Sequence, residues 1–280
     1  MKSQPLVSVN IRTFNSAKTL PATLQSVKDQ TYPTIEIVIS DGYSKDGSIE
    51  IAKRFGARVN YSGNLGDARF QNYQHSRGKY ILSLDSDQIM DKKLIETCVK
   101  VYEEKNVDAL IISEKSLLKK GTFLEKLLAY DKWVIDQTRD SDVLFGTACP
   151  RFFRKSLLRG VKWPKKLGIF DDTILYYQLN KRGARVAYLS EQSMRHHEVT
   201  DWITFIKKFH RYGKSYFVAL QESPTTIIGH SLPRRSYFST AALSRPHYFL
   251  GLLLLYTVKV TAAASGALTF FVDRLFNSQR

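Results

Sequence analysis

The 280-residue chain predicts an α/β fold: a mostly parallel central sheet flanked by helices, followed by an amphipathic and apolar helical tail. Three observations carry that expectation. Short β-rich runs alternate with helical stretches through about residue 115, as right-handed crossover units require. Three of the apolar runs end in polar clusters: Thr13/Asn15, Asp41 to Ser48, and Asp85/Asp87. From Asp201 on, the chain turns basic and aromatic, then almost uniformly apolar.

The elements follow in order. "LVSVNI" (6–11) is a strand, and "TLPATLQSVKDQ" a helix that tolerates Pro21 in its first turn. "IEIVIS" (35–40) is a strand bounded by "DGYSKDGS", a helix runs from about Ser48 to Phe55, and "ARVNYS" is the next strand. "GDARFQNYQHSRG" reads as a helix with Gly78 as its C′ residue. "KYILSL" is a strand leading to the Asp pair, Asp91 is placed to N-cap "KKLIETCVKVYEEK", and "DALIIS" is one more strand. Beyond residue 115, "GTFLEKLLAYDKWVIDQT" is helical and "TACPRFFRKSLL" is a strand running into a short helix. "DDTILYYQLNKRG" is a helix ended by Gly183, and "ARVAYL" is a strand with His196 and His197 just past it. In parallel sheets ligands bind beyond the carboxyl ends of the strands, so the three polar clusters should meet at one edge.

Composition narrows the partners. With 43% hydrophobic and 24% charged residues the chain is globular rather than disordered. The net charge of +16 favours an anionic partner: nucleic acid, a phosphorylated substrate or an anionic membrane. Two cysteines, Cys98 and Cys149, without CxxC or Cys/His spacing, argue against a disulfide framework or zinc finger and fit a reducing compartment. The N-terminal residues lack the apolar core of a signal peptide, so the catalytic part is expected on the cytoplasmic side.

Asp85 and Asp87 are the first candidates for chemistry. At an extended strand end, residues i and i+2 point to the same side, and two carboxylates there suit Mg²⁺ or Mn²⁺ completed by water and phosphate. A calcium EF-hand fits poorly, because Ile89 and Met90 stand where an oxygen ligand and Gly are needed. A turn or cap accounts for a bare D-x-D equally well.

The motifs "VSVNIRTFNSAKTLPATLQSV", "EIVISDGYSKDGS", "GNLGDAR" and "GKYILSLDSD" occur in this order, and together they closely resemble glycosyltransferase family 2 with the GT-A nucleotide-sugar-binding fold. The resemblance covers most of residues 5 to 115. One departure is Arg69-Phe70-Gln71-Asn72, where members often show Arg-Asn-x-Gly. The resemblance implies that Thr13 and Asn15 line the nucleotide pocket and Asp41 accepts from the base edge. Gly42, Ser44 and Asp46 would shape the loop, and Gly66 and Arg69 lie along the nucleotide and phosphates. Asp85 would face the ribose or sugar, and Asp87 the metal carried by the diphosphate, with Asp85 and His196 as further candidate ligands. The family's acidic pair, usually Glu-Asp, would fall on Asp171 and Asp172, a departure that shortens the first side chain, with Asp172 implied as base and Asp171 as supporting. Both residues equally suit a helix N-terminus.

The basic run "RFFRKSLLRGVKWPKK" (151–166) reads as a solvated loop or a surface facing phosphate. In "DWITFIKKFHRYGKSYFVAL" aromatic residues recur at helical steps beside basic ones, which suits either a membrane interface or a core-packing helix. Arg211 there is a candidate for the donor diphosphate. From His247 to Asp273 the only intervening charge is Lys259, and the stretch is long enough to span a bilayer. Shallow or re-entrant attachment is favoured, because a central Lys costs about 2.5–3.5 kcal/mol on insertion scales.

The organisation expected is a catalytic domain over 1–200, comprising a nucleotide-sugar half (1–115) and an acceptor half (116–200), with a membrane-associating tail over 201–280. The expected activity is inverting, metal-dependent transfer of a sugar from a nucleoside-diphosphate sugar to a membrane-surface acceptor. A polyprenyl phosphate or lipid-linked glycan suits the tail, and nucleic acid is not expected as a partner. The alternatives are a nucleotidyltransferase of related architecture and a non-catalytic membrane-bound nucleotide-sugar-binding protein.

Overall fold

The computed structural model describes residues 4–139 and 148–277. The strands are β1 (Val7–Thr13), β2 (Ile35–Asp41), β3 (Arg58–Tyr61), β4 (Tyr80–Asp85), β5 (Gln88–Met90), β6 (Ala109–Leu117), β7 (Phe152–Arg154) and β8 (Val186–His197). The helices of the first half are α1 (Leu20–Lys28), α2 (Ser48–Arg54), α3 (Leu65–His75) and α4 (Leu94–Glu104). Then come α5 (Phe123–Thr138), α6 (Asp171–Lys181), α7 (Trp202–Lys214), α8 (Tyr216–Glu222), α9 (Pro224–His230), α10 (Thr240–Leu243) and α11 (Pro246–Asn277). The described residues divide into two compact units. One is drawn from Met1–Lys115, Cys149–Lys166 and Leu175–His196, the other from Ser116–Ala148, Leu167–Ile174 and His197–Arg280.

Among the described residues the strands form one sheet in the order β3-β2-β1-β4-β7-β6-β8-β5. The α/β class holds, with β3, β2, β1 and β4 paired in parallel; β7 runs antiparallel to β4 and β6, and β5 to β8. β1 lies at the centre of the parallel half and is buried along its length except at Arg12. Val7, Val9 and Ile11 pack with Leu20, Leu24, Leu82, Leu94 and Cys98 in the main core. Such continuous burial is what helices laid over parallel strands produce.

Three local expectations change. α3 ends at His75, and Gly78 is not its left-handed cap. A Cβ at Gly78 would stand 2.7 Å from both the Leu6 carbonyl oxygen and the Ser8 backbone nitrogen, so Gly is needed there for close approach of two backbones. Asp91 does not cap α4; its carboxylate accepts from Ser193 N (2.9 Å) and Oγ (2.8 Å) and pairs with Arg195 at 3.2 Å, tying β5 to β8. β8 continues through His197, which places both histidines within the strand. Gly183 does end α6 left-handed, at φ +75°, with Ala184 N reaching back to Leu179 O at 3.1 Å.

The second unit is helical. α5 opens with a capping box in which Thr122 and Glu125 satisfy each other's backbone N–H groups. The aromatic side of α7 packs inward: Phe205 is buried, and Trp202 and Phe209 join it in a cluster with Leu252 and Leu255 of α11. α7 therefore uses that side for core packing, and the lipid-facing reading of it is set aside. α11 is one continuous helix of 32 residues rather than a re-entrant pair. α7 and α11 approach closely, because Cβ atoms at Gly213 and Gly266 would collide with the backbones of Ala263 and His210.

Lys259, the charge that interrupts the apolar stretch, turns inward to Asp131 of α5 at 3.2 Å, and Arg234 pairs with the same carboxylate at 2.9 Å. Burial alone pushes the Asp131 carboxyl up, yet Arg234 and Lys259 outweigh it and hold the group below the ordinary aspartate range. Removing the shared carboxylate takes a buried counter-charge from both cations. Asp131→Ala should cost about 3–5 kcal/mol, whereas Lys259→Met keeps the Arg234–Asp131 pair and should cost less. Thermal unfolding of the two variants gives the ranking.

Candidate active site

The site begins at the carboxyl ends of three parallel strands. Register places Thr13 opposite Asp41 and Arg12 opposite Asp85. The Thr13 hydroxyl donates to Asp41 Oδ2 at 2.7 Å. Ser44 donates to the same carboxylate through both its backbone N and its Oγ, each at 2.7 Å. Asp41 is buried, and these donors occupy three of a carboxylate's roughly four acceptor positions.

Further hydrogen bonds join the β1–α1 loop to the β2–α2 loop. Asn15 N donates to Ser44 Oγ at 2.8 Å and Asn15 Oδ1 accepts from Lys45 N at 3.0 Å. Asp46 accepts from Ala17 N at 2.9 Å and from Ser48 Oγ at 2.6 Å. Gly42 N donates to the Thr13 carbonyl at 2.8 Å. The Ser16 and Ser86 hydroxyls share a hydrogen bond of 2.8 Å, which joins the first loop to the turn between the two aspartates. Two residues in these loops, Asn15 (φ +48°) and Tyr43 (φ +66°), are left-handed without being Gly. That conformation costs an L-residue about 1–2 kcal/mol.

Asp85 is the last residue of β4, and Ser86 and Asp87 form a turn rather than a continued strand. The i, i+2 argument for a shared side therefore does not apply to the pair. Asp85 is clamped by two guanidiniums, Arg12 on Oδ1 at 2.9 Å and Arg151 on Oδ2 at 3.2 Å. Burial pushes its carboxyl up, but Arg151 and Arg12 outweigh this, with help from Arg69, and hold it well below the usual carboxylate range. Arg151 also pairs with Glu114 at 3.0 Å, and His196 Nε2 lies 3.9 Å from Glu114. Arg69 on α3 is buried, with Nη1 3.4 Å from Ser83 Oγ. Gly66 is buried in the first turn of the same helix.

The fit to a divalent cation follows from these positions. Asp87 is exposed, and the pairing of Gln88 with His196 sets His196 beside its turn. Among the described residues no three His, Cys, Asp or Glu side chains form a ready-made metal cluster. The donor set instead suits an ion that takes one or two protein ligands and completes its shell with water and phosphate oxygens, as Mg²⁺ does; imidazole is also acceptable to Mn²⁺.

The second unit carries the other expected residues. Asp171 and Asp172 begin α6, where negative charge is favoured; Asp171 is buried, and Asp172 Oδ1 accepts from Thr173 N at 2.9 Å. The residue before them, Phe170, is left-handed at φ +61°. Arg211 is exposed on α7.

Sequence reasoning missed Arg12, Arg151 and Glu114. Arg12 carried a signal: a charged residue inside an otherwise buried strand needs a partner. Arg151 was present only as one member of a basic run. Replacing Arg151 with Met should raise the Asp85 titration toward the ordinary value of about 4. Because the folded carboxyl titrates below its unfolded value, its contribution to stability is present above that range and is lost as the pH falls through the folded value. Carboxyl-carbon NMR of the variant against the wild type reads the change directly.

A family model described as "Glycosyl transferase family 2" matches residues 8–161, more than half of the chain. The chain is similar to a cholesterol galactosyltransferase of Borreliella burgdorferi, 23% identical over 207 residues that cover 66% of this chain and 58% of that protein. It spans smaller shares, 38% and 34%, of two other curated relatives it matches. Among solved structures, the mannosyltransferase PcManGT from Pyrobaculum calidifontis, in complex with GDP-Man and Mn²⁺, has a TM-score of 0.57 at 16% identity, covering 95% of this chain and 74% of that one. S. aureus TarS 1-349 in complex with UDP has a TM-score of 0.56 at 20% identity, covering 76% and 65%. These likenesses extend the GT-A-type fold over most of the chain, and with the match over its first half they lead to one conclusion: the chain belongs to glycosyl transferase family 2.

Proposed function

We propose that the protein is an inverting glycosyltransferase that moves a sugar from a nucleoside-diphosphate sugar to an acceptor at a membrane surface, with Mg²⁺ or Mn²⁺ as cofactor. The observation that carries this reading is the meeting of the Thr13–Asp41 and Arg12–Asp85 pairs at the carboxyl edge of β1, β2 and β4, which is where α/β sheets hold nucleotides. The solved relatives with bound UDP and GDP-Man support the donor class. Thr13, Asn15, Asp41, Gly42, Ser44, Asp46 and Gly66 form the nucleotide end. The buried positive charge of Arg69 supports the ionised state of Asp85.

Asp85, with both oxygens engaged by arginines, serves as a fixed anionic acceptor for donor hydroxyls rather than as the main metal ligand. Asp87 and His196 would hold the metal, which when bound stabilises negative charge on the departing diphosphate. The acceptor oxygen attacks the anomeric carbon as the bond to the diphosphate breaks on the opposite face. Asp172 takes the acceptor's proton, Asp171 supports it, and Arg211 offers a planar fork to phosphate. An acceptor that is already anionic, such as a polyprenyl phosphate, would need Asp172 less than the hydroxyl of a lipid-linked glycan.

The outward side of α11 supports an acceptor at a bilayer. Leu250, Leu254, Val260, Leu268, Phe271 and Leu275 are exposed at helical spacing, while Lys259 is turned inward to Asp131. A long helix with one charge-free side, packed through its other side onto α5 and α7, suits lying along the interface.

Asp87→Ala should abolish transfer to any lipid-extract acceptor and Asp172→Asn transfer to a hydroxyl acceptor, while circular dichroism stays that of the wild type; normal turnover in either assay would overturn that residue's role. The full chain should float with vesicles containing anionic lipid. Its recovery wholly in the soluble fraction at low salt, without detergent, would sink the membrane reading.

A further inference from the structure

At the end of α5 the second unit holds a cavity of about 240 Å³, lined among the described residues by Thr138, Arg235, Ser236 and Ser239. Its walls are docked by bonds outside the cavity. Arg234, just before the 3₁₀ turn Arg235–Phe238, pairs with Asp131 of α5 at 2.9 Å. Tyr130 Oη donates to the carbonyl oxygens of Ala241 and Ala242 in α10, each at 3.0 Å. The turn and α10 are thus fixed against α5 before any ligand arrives.

The hydrogen inventory of the lining says what would fill it. The Thr138 hydroxyl donates its one hydrogen to the Val134 carbonyl at 2.8 Å. Ser239 Oγ donates to the Ser236 carbonyl at 2.7 Å and accepts from Ala242 N at 3.1 Å. Both hydroxyls have given their hydrogen, so what each can still offer a ligand is a lone pair. Arg235 and Ser236 are the donors. Arg235 brings a guanidinium with five N–H groups. Ser236 is 4% exposed, and its Oγ has no hydrogen-bond partner among the described residues, a costly state for a buried hydroxyl. A bare anion would suit the donors and be repelled by the lone pairs. A neutral polyol would leave the guanidinium charge unmet. A phosphodiester that carries hydroxyl groups satisfies both halves. The cavity is several times a water's share of about 30 Å³, so it has room for more than an ion.

We propose that this cavity takes the headgroup of a hydroxyl-bearing anionic phospholipid, of which phosphatidylglycerol is the simplest. The phosphodiester accepts from Arg235 and Ser236, and the headgroup hydroxyls donate to Thr138 and Ser239. The segments that carry the lining also leave large apolar side chains in water. Phe238, at the end of the turn, is 69% exposed and Leu243, at the end of α10, is 51% exposed. α11 then starts at Pro246 with its own outward apolar side. Such neighbours suit a headgroup attached to acyl chains better than a soluble polyol phosphate. The proposal rests on the membrane-surface reading of α11. That helix supplies apolar contact with any bilayer, and the cavity adds a preference among headgroups.

The test is calorimetric titration of the full chain with dihexanoyl phosphatidylglycerol, dihexanoyl phosphatidylcholine and glycerophosphoglycerol, the lipids below their micelle concentrations, together with thermal melting. The glycerol lipid should bind about tenfold more tightly than the choline lipid, whose phosphodiester carries no hydroxyl, and more tightly than its own deacylated headgroup. Ser236→Ala should weaken the glycerol lipid about tenfold and melt no lower than the wild type. Arg235→Gln, at an exposed position, should weaken it at least as much, and decides the matter if Ser236→Ala fails to fold. Thr138→Val should narrow the gap between the two lipids. Equal affinity for the two lipids, or undiminished binding of the glycerol lipid in Arg235→Gln, overturns the headgroup site. Glycerophosphoglycerol bound as tightly as the lipid overturns the lipid source. Flotation of the wild type with vesicles of phosphatidylglycerol and phosphatidylcholine separates the two readings: a chain that floats keeps the membrane reading even where the site fails, and a chain that does not float overturns both.

Discussion

The parallel register of β1 with both of its neighbours is the constraint on which the site depends. One pairing brings Thr13 to Asp41, and the other brings Arg12 to Asp85. A slip of one residue in either pairing would turn the whole side-chain set to the other face of the sheet. Such a slip is opposed by the core residues Val9, Ile11, Ile37, Ile39, Leu82 and Leu84, which alternate along the same strands. The hydrophobic packing of the sheet and the chemistry at its edge are thus set by one register.

Buried charge is handled alike in the two units. Asp85 is held between Arg12 and Arg151, and Asp131 between Arg234 and Lys259. In both places one carboxylate serves two cations, and the cations outweigh the penalty of burial. Their surroundings separate the roles. Asp85 has 32% of its side chain exposed at a strand tip, where a ligand has access. Asp131 has 7% exposed among packed helices, where it fixes the position of α11. This pairing also lets α11 carry a lysine in an apolar stretch without presenting it on the outward side.

Among the described residues, three of the five left-handed residues other than Gly lie beside the proposed chemistry. Asn15 and Tyr43 are left-handed in the two loops that meet at Asp41, and Phe170 is left-handed immediately before Asp171 and Asp172. Networks such as Asn15–Ser44–Asp41 and Asp46–Ser48–Ser16 hold the first two in place. Backbone held rigid in this way keeps polar groups oriented before a ligand arrives, which is how a preorganised site gains over a flexible one.

The amino-acid order by itself determined the alternation of strands and helices, the end of α6 at Gly183, and the gathering of three polar clusters at one sheet edge. Each of these follows from local periodicity or from a single residue's backbone preference, and both are written in neighbouring positions. Only the tertiary structure decided what pairs with what. Arg12 and Arg151 are far apart in the chain and meet on Asp85, Asp91 leaves the helix it was expected to cap for Ser193 and Arg195, and Gly78 answers to Leu6 and Ser8 rather than to its own helix. The sequence also left open whether the aromatic side of α7 faced lipid or core, since both environments reward the same pattern. Packing against α11 settled it. Charge pairing and close backbone approach depend on distances across the fold, which no local pattern encodes.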